Sequence, residues 1–296
     1  MGPQAPLRTV IERFQLRADK RLGQHFLLDP NILRRIATAA GDLSGRIVVE
    51  VGPGPGGLTR ALLDAGAKRV IAIERDPRCI AALGELAAAA GGRLSLIEAD
   101  ALALDLAEVS PERVSIVANL PYNVATALLI RWLGQLERIE RLTLMFQREV
   151  AARIGAPPGS RAYGRLSVLA QWLCEVRCLM HLPSRAFVPP PKVASSLLQL
   201  TPRPQPLAPA EPAALERVLQ AAFGQRRKML RSSLKSLHER PEELLAAAEI
   251  PPTARAEEID VPGFCRLARS YAALRSPGAE AAAEVSDGCG TGRRTR

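Results

Sequence analysis

The chain has 296 residues, 47% hydrophobic and 24% charged, a balance that excludes wholesale disorder and suits one large domain with a smaller one. No apolar run reaches the roughly 18–20 residues of a membrane helix, the first twenty residues hold no signal-peptide core, and five scattered cysteines (Cys79, Cys174, Cys178, Cys265, Cys289) read as reduced thiols, so a cytoplasmic protein is expected. Forty Lys and Arg against thirty Asp and Glu leave a net charge of +10, which favours a polyanionic partner, nucleic acid first.

Residues 1–29 read as a basic, irregular N-terminal segment. A helix is predicted after Asp29-Pro30, since Asp caps and Pro fits a first turn. Strands and helices then alternate. Strands are predicted at 46–51, 69–74, 94–97, 114–118 and 142–146, and helices at 57–65, 77–90 and 124–135. This rhythm predicts a doubly wound parallel α/β sheet. Two helices (147–155, 164–173) and two strands (175–182, 195–201) follow, with a stiff Pro-rich loop at 186–193 between the strands. Residues 202–211 read as a Pro-rich linker. Helices are expected at 212–223, 225–237, 241–248 and 256–274, and residues 276–296 as a disordered tail.

The first strand runs into Glu50-Val51-Gly52-Pro53-Gly54-Pro55-Gly56-Gly57, in which Gly52, Gly54 and Gly57 fit GxGxxG. Glycine there permits a tight turn and lets a ligand touch the backbone. Glu74 ends the second strand, 22 positions after Gly52, where a carboxylate can accept from both hydroxyls of a ribose. Asp100 follows the third strand and can accept from an adenine amino group. An adenosine-containing ligand is expected, either a dinucleotide or S-adenosylmethionine, and the loop does not separate the two. Glu50 leans toward S-adenosylmethionine, because a carboxylate beside the loop repels a pyrophosphate and suits a sulfonium.

Asn119-Leu120-Pro121-Tyr122 follows the fourth strand, at the sheet edge where ligands bind in α/β folds. Methylating adenine N6 requires that the amino group be held by two acceptors, so that its delocalised lone pair turns toward the methyl. The Asn119 side-chain oxygen and a backbone carbonyl beside Pro121 can be those acceptors, with the Pro121 carbonyl expected to be free. Tyr122 can stack on the base. No strong general base is needed, since a sulfonium is a good leaving group.

With these residues on the page, the chain resembles the bacterial small-subunit (16S) rRNA adenine N6,N6-dimethyltransferase family over roughly residues 17–274. The match lies in Lys20-Arg21-Leu22-Gly23-Gln24-His25-Phe26-Leu27, Glu50-Val51-Gly52-Pro53-Gly54, Glu74, Asp100, Asn119-Leu120-Pro121-Tyr122, Gln147-Arg148-Glu149-Val150, Tyr163-Gly164-Arg165-Leu166-Ser167, Phe187-Val188-Pro189-Pro190-Pro191-Lys192-Val193 and Phe223-Gly224-Gln225-Arg226-Arg227-Lys228, all in order. The resemblance implies a seven-stranded Rossmann-like methyltransferase sheet, here over 30–201, with a small all-helical RNA-binding C-terminal domain over 212–275. It implies dimethylation of two adjacent adenosines in the 3′-terminal hairpin of 16S rRNA during 30S biogenesis, with S-adenosylmethionine as cofactor and no metal. His25, Leu27, Glu50, Gly52, Gly54, Glu74, Asp100 and Asn119 are the implied cofactor residues. Asn119, Leu120, Pro121, Tyr122 and Phe187 are the catalytic set, Tyr122 and Phe187 sandwiching a flipped adenine. Many members carry Asn in place of His25; a backbone contact survives that exchange.

Arg227, Arg231 and Lys235 recur every four residues, which on a helix gives one face, flanked by Arg226 and Lys228. Together with Lys20 and Arg21 they are expected to meet RNA phosphate. Cys174, Cys178 and His181 have a spacing that suggests zinc, yet on a strand the two cysteines share one face and His181 points to the other, so core thiols are expected. His238 reads as a surface helix residue without a partner, and Trp132 and Trp172 as core. A monomer working on an immature 30S particle, away from membranes, is expected. Rival readings are an erythromycin-resistance-type methyltransferase acting on one large-subunit adenosine, an assembly factor that binds RNA without catalysis, and a nicotinamide-dependent dehydrogenase, for which no hydride-transfer constellation is found.

Overall fold

The computed structural model describes residues 5–18 and 23–275. Their contacts divide the chain into two units. The first runs up to Gly155 and resumes over Leu173–Pro204; the second joins Ala156–Trp172 to the residues from Gln205 onward. Residues 156–172, expected within the 30–201 domain, thus group with the C-terminal helices. The basic segment Lys20-Arg21 and the tail 276–296 lie outside the described residues.

The first unit opens with α1 (Leu7–Arg13), β1 (Phe26–Leu27) and α2 (Pro30–Ala39). The expectation of an irregular N-terminus is corrected by α1. Seven residues do not make a stable helix alone; tertiary contact supplies the rest, since Val10 and Leu16 bury against Cys79 and Ala82. α2 begins as its sequence predicts, with Asp29 Oδ1 accepting from the Asn31 amide at 2.8 Å and Pro30 in the first turn.

β2 (Ile47–Val51), α3 (Gly57–Asp64), β3 (Arg69–Glu74), α4 (Pro77–Ala89), β4 (Leu94–Glu98), the short α5 (Leu106–Val109), β5 (Val114–Ala118), α6 (Ala125–Leu133), β6 (Ile139–Gln147) and α7 (Arg148–Ile154) follow. β2 and β5 are buried along their whole length, which is why they read as nearly all-apolar runs, broken only by Glu50 and Ser115. After α8 (Arg165–Leu173), which belongs to the second unit up to Trp172, the sheet is completed by β7 (Cys174–Leu182) and β9 (Ser195–Pro202). β8 (Phe187–Val188) lies between them in sequence and pairs with β1. The seven-stranded order is β4-β3-β2-β5-β6-β9-β7.

The five strands from β4 to β6 in that order are parallel as their rhythm implies, but β9 runs antiparallel between β6 and β7. A short return through the Pro-rich loop, with no crossover helix, requires that reversal. β2 and β5 are neighbours although β3 and β4 intervene in sequence, so the strand order reverses there. The crevice beyond their carboxyl ends is the topological switch point at which α/β folds bind ligands.

One irregularity corrects a facing argument. A bulge lies between Cys178 and Met180, where Cys178 pairs with Leu198 and Met180 with Leu197. The extra residue inverts the alternation beyond it. Cys178 and His181 therefore share a face, with the thiol sulfur 4.0 Å from the imidazole nitrogens. His181 Nδ1 is engaged by the Ser196 hydroxyl at 2.8 Å, and among the described residues no three ligating side chains gather around a metal position.

The second unit is helical: α8, α9 (Pro212–Gly224), α10 (Leu230–Ser233), α11 (Pro241–Ala247) and α12 (Val261–Arg275). Glu211 caps α9 by accepting from the amides of Ala213 and Ala214, so the Pro-rich stretch ends where a helix can start. Phe223 packs between Tyr163 and Phe264. The single helix expected over 225–237 is not formed. The amides of Leu230 and Arg231 donate to Ala254 and Pro252 carbonyls, and Met229 bridges to Arg255. A turn at 225–228, α10 and a 3₁₀ turn (Leu234–Ser236) replace it. Arg227, Arg231 and Lys235 consequently stand on three different pieces rather than on one helix face. His238 falls beyond the last of these, and its Nδ1 accepts from the Arg240 amide at 3.1 Å.

Candidate active site

The Gly-rich loop after β2 and the Asn119–Tyr122 turn after β5 meet at the switch point. His25, Leu27, Glu50, Gly52, Gly54, Glu74 and Asn119 line one cavity with Leu120, Pro121 and Tyr122. Asp100 lines an adjoining cavity that shares Gly52, Glu74, Arg75 and Pro121 with the first. Arg75 pairs with Asp100 at 3.2 Å on the ground between them.

Gly54 shows why the loop needs glycine. Its φ is +55°, and an added Cβ would stand 2.9 Å from the Phe26 ring. Its amide donates to Glu74 Oε2 at 3.2 Å. Glu74 Oε1 accepts from the amides of Arg75 at 2.8 Å and Asp76 at 3.0 Å, so the carboxylate at the end of β3 is held by three backbone donors. Burial nevertheless raises its pKa, outweighing those amides.

Glu50 lies deeper, 1% exposed, with the Thr59 hydroxyl donating to it at 2.6 Å. Burial, opposed by that hydrogen bond and assisted by the Glu74 charge, pushes its pKa up to about 8. Two buried carboxyls on one cavity make it a place for a cation. Asp76, at the foot of Glu74, is held below its ordinary value first by the Arg78 side chain. It also accepts from Gln24 Nε2 at 3.1 Å, which ties the N-terminal segment to the start of α4.

Asn119 has a defined orientation. Its Nδ2 donates to the His25 carbonyl at 3.0 Å. An amide that spends its NH₂ group on that carbonyl turns its Oδ1 the other way, as an acceptor. The expectation of a free Pro121 carbonyl is corrected: it accepts from the amides of Val124 and Ala125 at 3.1 Å, because α6 starts there and its first amides need acceptors. The Leu120 carbonyl, one residue earlier, takes part in no hydrogen bond among the described residues and is the backbone acceptor this turn offers.

Tyr122 is half-buried. Its hydroxyl lies 2.5 Å from Ser195 Oγ, and its ring lies 5.4 Å from that of His25 at a tilt of 31°. His25 Nδ1 reaches the Pro189 carbonyl at 2.7 Å, which requires the Nδ1–H form, since a carbonyl only accepts. The β1–β8 ladder adds Phe26↔Val188 and Leu27↔Phe187. The N-terminal motif, the Tyr122 turn and the Pro-rich loop are thereby fastened together.

Phe187, expected to face a base, is 1% exposed and packs in the core with Leu27, Met145, Leu182 and Leu197. Strand alternation in β8 sends Phe187 inward and Val188 outward. The ring therefore has no open face in this arrangement, and the aromatic ring beside Tyr122 is that of His25. In the second unit, Arg226 is taken up by Glu257 at 2.8 Å and by the Ser160 carbonyl, a structural use, while Arg227, Lys228, Arg231 and Lys235 are exposed. Sequence reasoning missed Gln24, Arg75, Asp76 and Ser195. Asp76-Pro77 was readable as a helix cap, but nothing local to Ser195 marks it as a neighbour of Tyr122.

A doubly wound sheet with a Gly-rich loop, acids at successive strand ends and an Asn-Leu-Pro-Tyr turn at the switch point defines a Rossmann-like methyltransferase. The sequence profile described as ribosomal RNA adenine dimethylase matches residues 15–273. The chain belongs to that family. It is 59% identical over 282 residues to the ribosomal RNA small subunit methyltransferase A of Paramagnetospirillum magneticum, covering 95% of this chain and 100% of that protein. Among solved structures it is similar to a dimethyladenosine transferase from Plasmodium falciparum (TM-score 0.71, 27% identity, 82% of this chain and 96% of that one). It is also similar to the 23S rRNA methyltransferase ErmE (TM-score 0.65, 29% identity, 83% and 99%). Among the described residues no helix is long and apolar enough to cross a membrane.

Proposed function

We propose that this enzyme transfers methyl groups from S-adenosylmethionine to N6 of two adjacent adenosines in the 3′-terminal hairpin of 16S rRNA. It acts as a monomer on an immature 30S particle in the cytoplasm. The observation that carries the chemistry is the orientation of Asn119. With Nδ2 given to the His25 carbonyl, Oδ1 and the Leu120 carbonyl are two acceptors on one turn, the pair that an exocyclic amino group needs. They hold both N6 hydrogens in the first transfer and the one that remains in the second, turning the nitrogen lone pair toward the incoming methyl. Tyr122 supplies a stacking face for the base, which must leave its helix because N6 of a paired adenine is not free to react.

The cofactor fits the residues present. The Gly54 backbone lines the cavity, with the Phe26 ring packed where a side chain would otherwise stand. Glu74 is preset by three amides for a ribose, and Glu50 with Glu74 favours a positively charged ligand over a pyrophosphate. When bound, S-adenosylmethionine supplies an electrophilic methyl group on a sulfonium. The protein positions the amine and leaves the N6 proton to be lost to solvent.

The small-subunit target is favoured over the large-subunit one by the near-complete relative at 59% identity, against 29% for the large-subunit enzyme. Exposed Arg227, Lys228, Arg231 and Lys235 are the phosphate contacts assigned to the helical unit. The test incubates the protein and labelled S-adenosylmethionine with unmethylated 30S particles and, separately, with protein-free 23S rRNA, then identifies the labelled nucleoside. Dimethyladenosine from the 16S hairpin is expected. Label in 23S rRNA alone would move the assignment to the resistance-type reaction, and label in neither would leave an RNA-binding factor.

A further inference from the structure

The carboxyl edge of the sheet is electrically divided along the strand order. At the ends of β2, β3 and β4 stand Glu50, Glu74, Glu98 and Asp100, with Arg75 among them paired to Asp100. The Asn119–Tyr122 turn, after β5, stands next. On its far side the ends of β6 and β7 and the beginning of β9 come together, because Gln147 and Leu182 both pair with Ser195. Three cations stand on the segments that meet there. Arg148 follows β6 directly and its amide donates to the Ala194 carbonyl at 2.9 Å; Arg185 lies in the turn after β7; Lys192 lies on the segment entering β9. All three side chains are exposed, and among the described residues none of them is in an ion pair. Glu149, the nearest acid in sequence to Arg148, is taken by Arg153.

A cationic cofactor and a polyanionic substrate need opposite fields at one reaction point, and the strand order supplies them on either side of the catalytic turn. We propose that Arg148, Arg185 and Lys192 form a rim that grips the phosphates of the RNA strand flanking the target adenosines. The cations contact the backbone and carry no base readout, so they hold the strand in place while Tyr122 and Asn119 select the base. This inference rests on the RNA substrate proposed above. It adds a contact surface on the sheet unit, separate from the cations of the helical unit.

The test uses the full chain and unmethylated 30S particles. Affinity is measured against salt for the wild type, for the triple variant R148A/R185A/K192A, and for the charge-keeping R148K/R185K/K192R. Each phosphate contact contributes about 0.7–0.9 to the slope of log affinity against log salt. The alanine variant should lose about 2 from the slope, bind roughly a hundredfold more weakly near 0.1 M salt and raise KM more than it lowers kcat. Its calorimetric affinity for S-adenosylmethionine should be unchanged, and the charge-keeping variant should retain the wild-type slope. A wild-type slope in the alanine variant would overturn the rim while leaving the substrate assignment standing. Failure of the wild type to bind or methylate the particles would overturn the substrate reading, and the rim with it.

Discussion

The Tyr122 hydroxyl lies 2.5 Å from the hydroxyl of Ser195, a residue with no exposed surface at the first position of β9. The bond links the turn after β5 to a strand that begins more than seventy residues later, and it sets the tilt of the ring proposed to receive the base. Tyr122→Phe and Ser195→Ala each remove one partner. Such a hydrogen bond contributes about 1 kcal/mol, so each variant should lose about fivefold in kcat/KM. The double variant should be no worse than either single one, since both delete the same interaction. Single-turnover kinetics on the four proteins of the cycle decide this; additive losses would show that the two hydroxyls act apart.

Glu50 is predicted to make stability and cofactor binding depend on pH. Its pKa is about 8 in the folded chain against an ordinary 4.5, chiefly because burial disfavours the charged form, and the acid facing it is Glu74. Between those values the unfolded chain has lost a proton that the native state still holds. The stability linked to this group is therefore complete below pH 4.5, declines through the window and stays lost above about pH 8. Glu50→Gln removes the titration. Its stability relative to wild type should climb by up to about 1 kcal/mol per pH unit between pH 5 and 8, read by denaturant unfolding. Binding a cation beside Glu50 favours its ionised form, so S-adenosylmethionine should release a proton near pH 7. Calorimetry in two buffers of different ionisation enthalpy should see that proton with wild type and not with the variant.

Gly54→Ala should damage the site by contact as well as by strain. A left-handed conformation costs an L-residue about 1–2 kcal/mol, and here the new methyl also meets the Phe26 ring at 2.9 Å. Gly45 is the control, with φ +72° and open space around its Cβ position. Gly45→Ala should lower the thermal midpoint and leave cofactor affinity intact. Gly54→Ala should lower the midpoint further and weaken S-adenosylmethionine binding at least tenfold. Equal behaviour of the two variants would mean that the loop tolerates a side chain.

Most of the sheet was legible because its signals are local. Asp29-Pro30 and Asp76-Pro77 cap helices within one turn, β2 and β5 are apolar but for Glu50 and Ser115, and Glu50, Gly54, Glu74 and Asn119 sit at or just after strand ends that the periodicity defines. The rest depends on contacts made across the chain. Met229 bridges Arg255 in the middle of the helix that periodicity predicts over 225–237, and that helix does not form. Phe187 is drawn into the core by its pairing with Leu27, so its neighbour Val188, and not the phenylalanine, faces out. One bulge residue in β7 turns His181 to the side of Cys178. The Pro121 carbonyl is spent on α6, which no count of acceptors within the motif reveals.

Asn119 separates holding from reacting. Its Nδ2 is bound to the His25 carbonyl, while Oδ1 is the acceptor assigned to the substrate amine. Asn119→Ala removes both ends. Asn119→Asp keeps acceptor oxygens but brings a carboxylate against the His25 carbonyl, two acceptors facing each other where a donor stood. Removing one preorganised polar contact at a transition state typically costs about 10²–10³ in rate. Both variants should fall in that range for kcat. The aspartate should in addition weaken S-adenosylmethionine binding, because the displaced His25 backbone lines the cofactor cavity. The comparison is made by single-turnover methylation for the rate and by calorimetry for the affinity. If Asn119→Asp retained wild-type kcat, the donated hydrogen bond to His25 would have no part in aligning the amide, and the acceptor assignment built on it would fall.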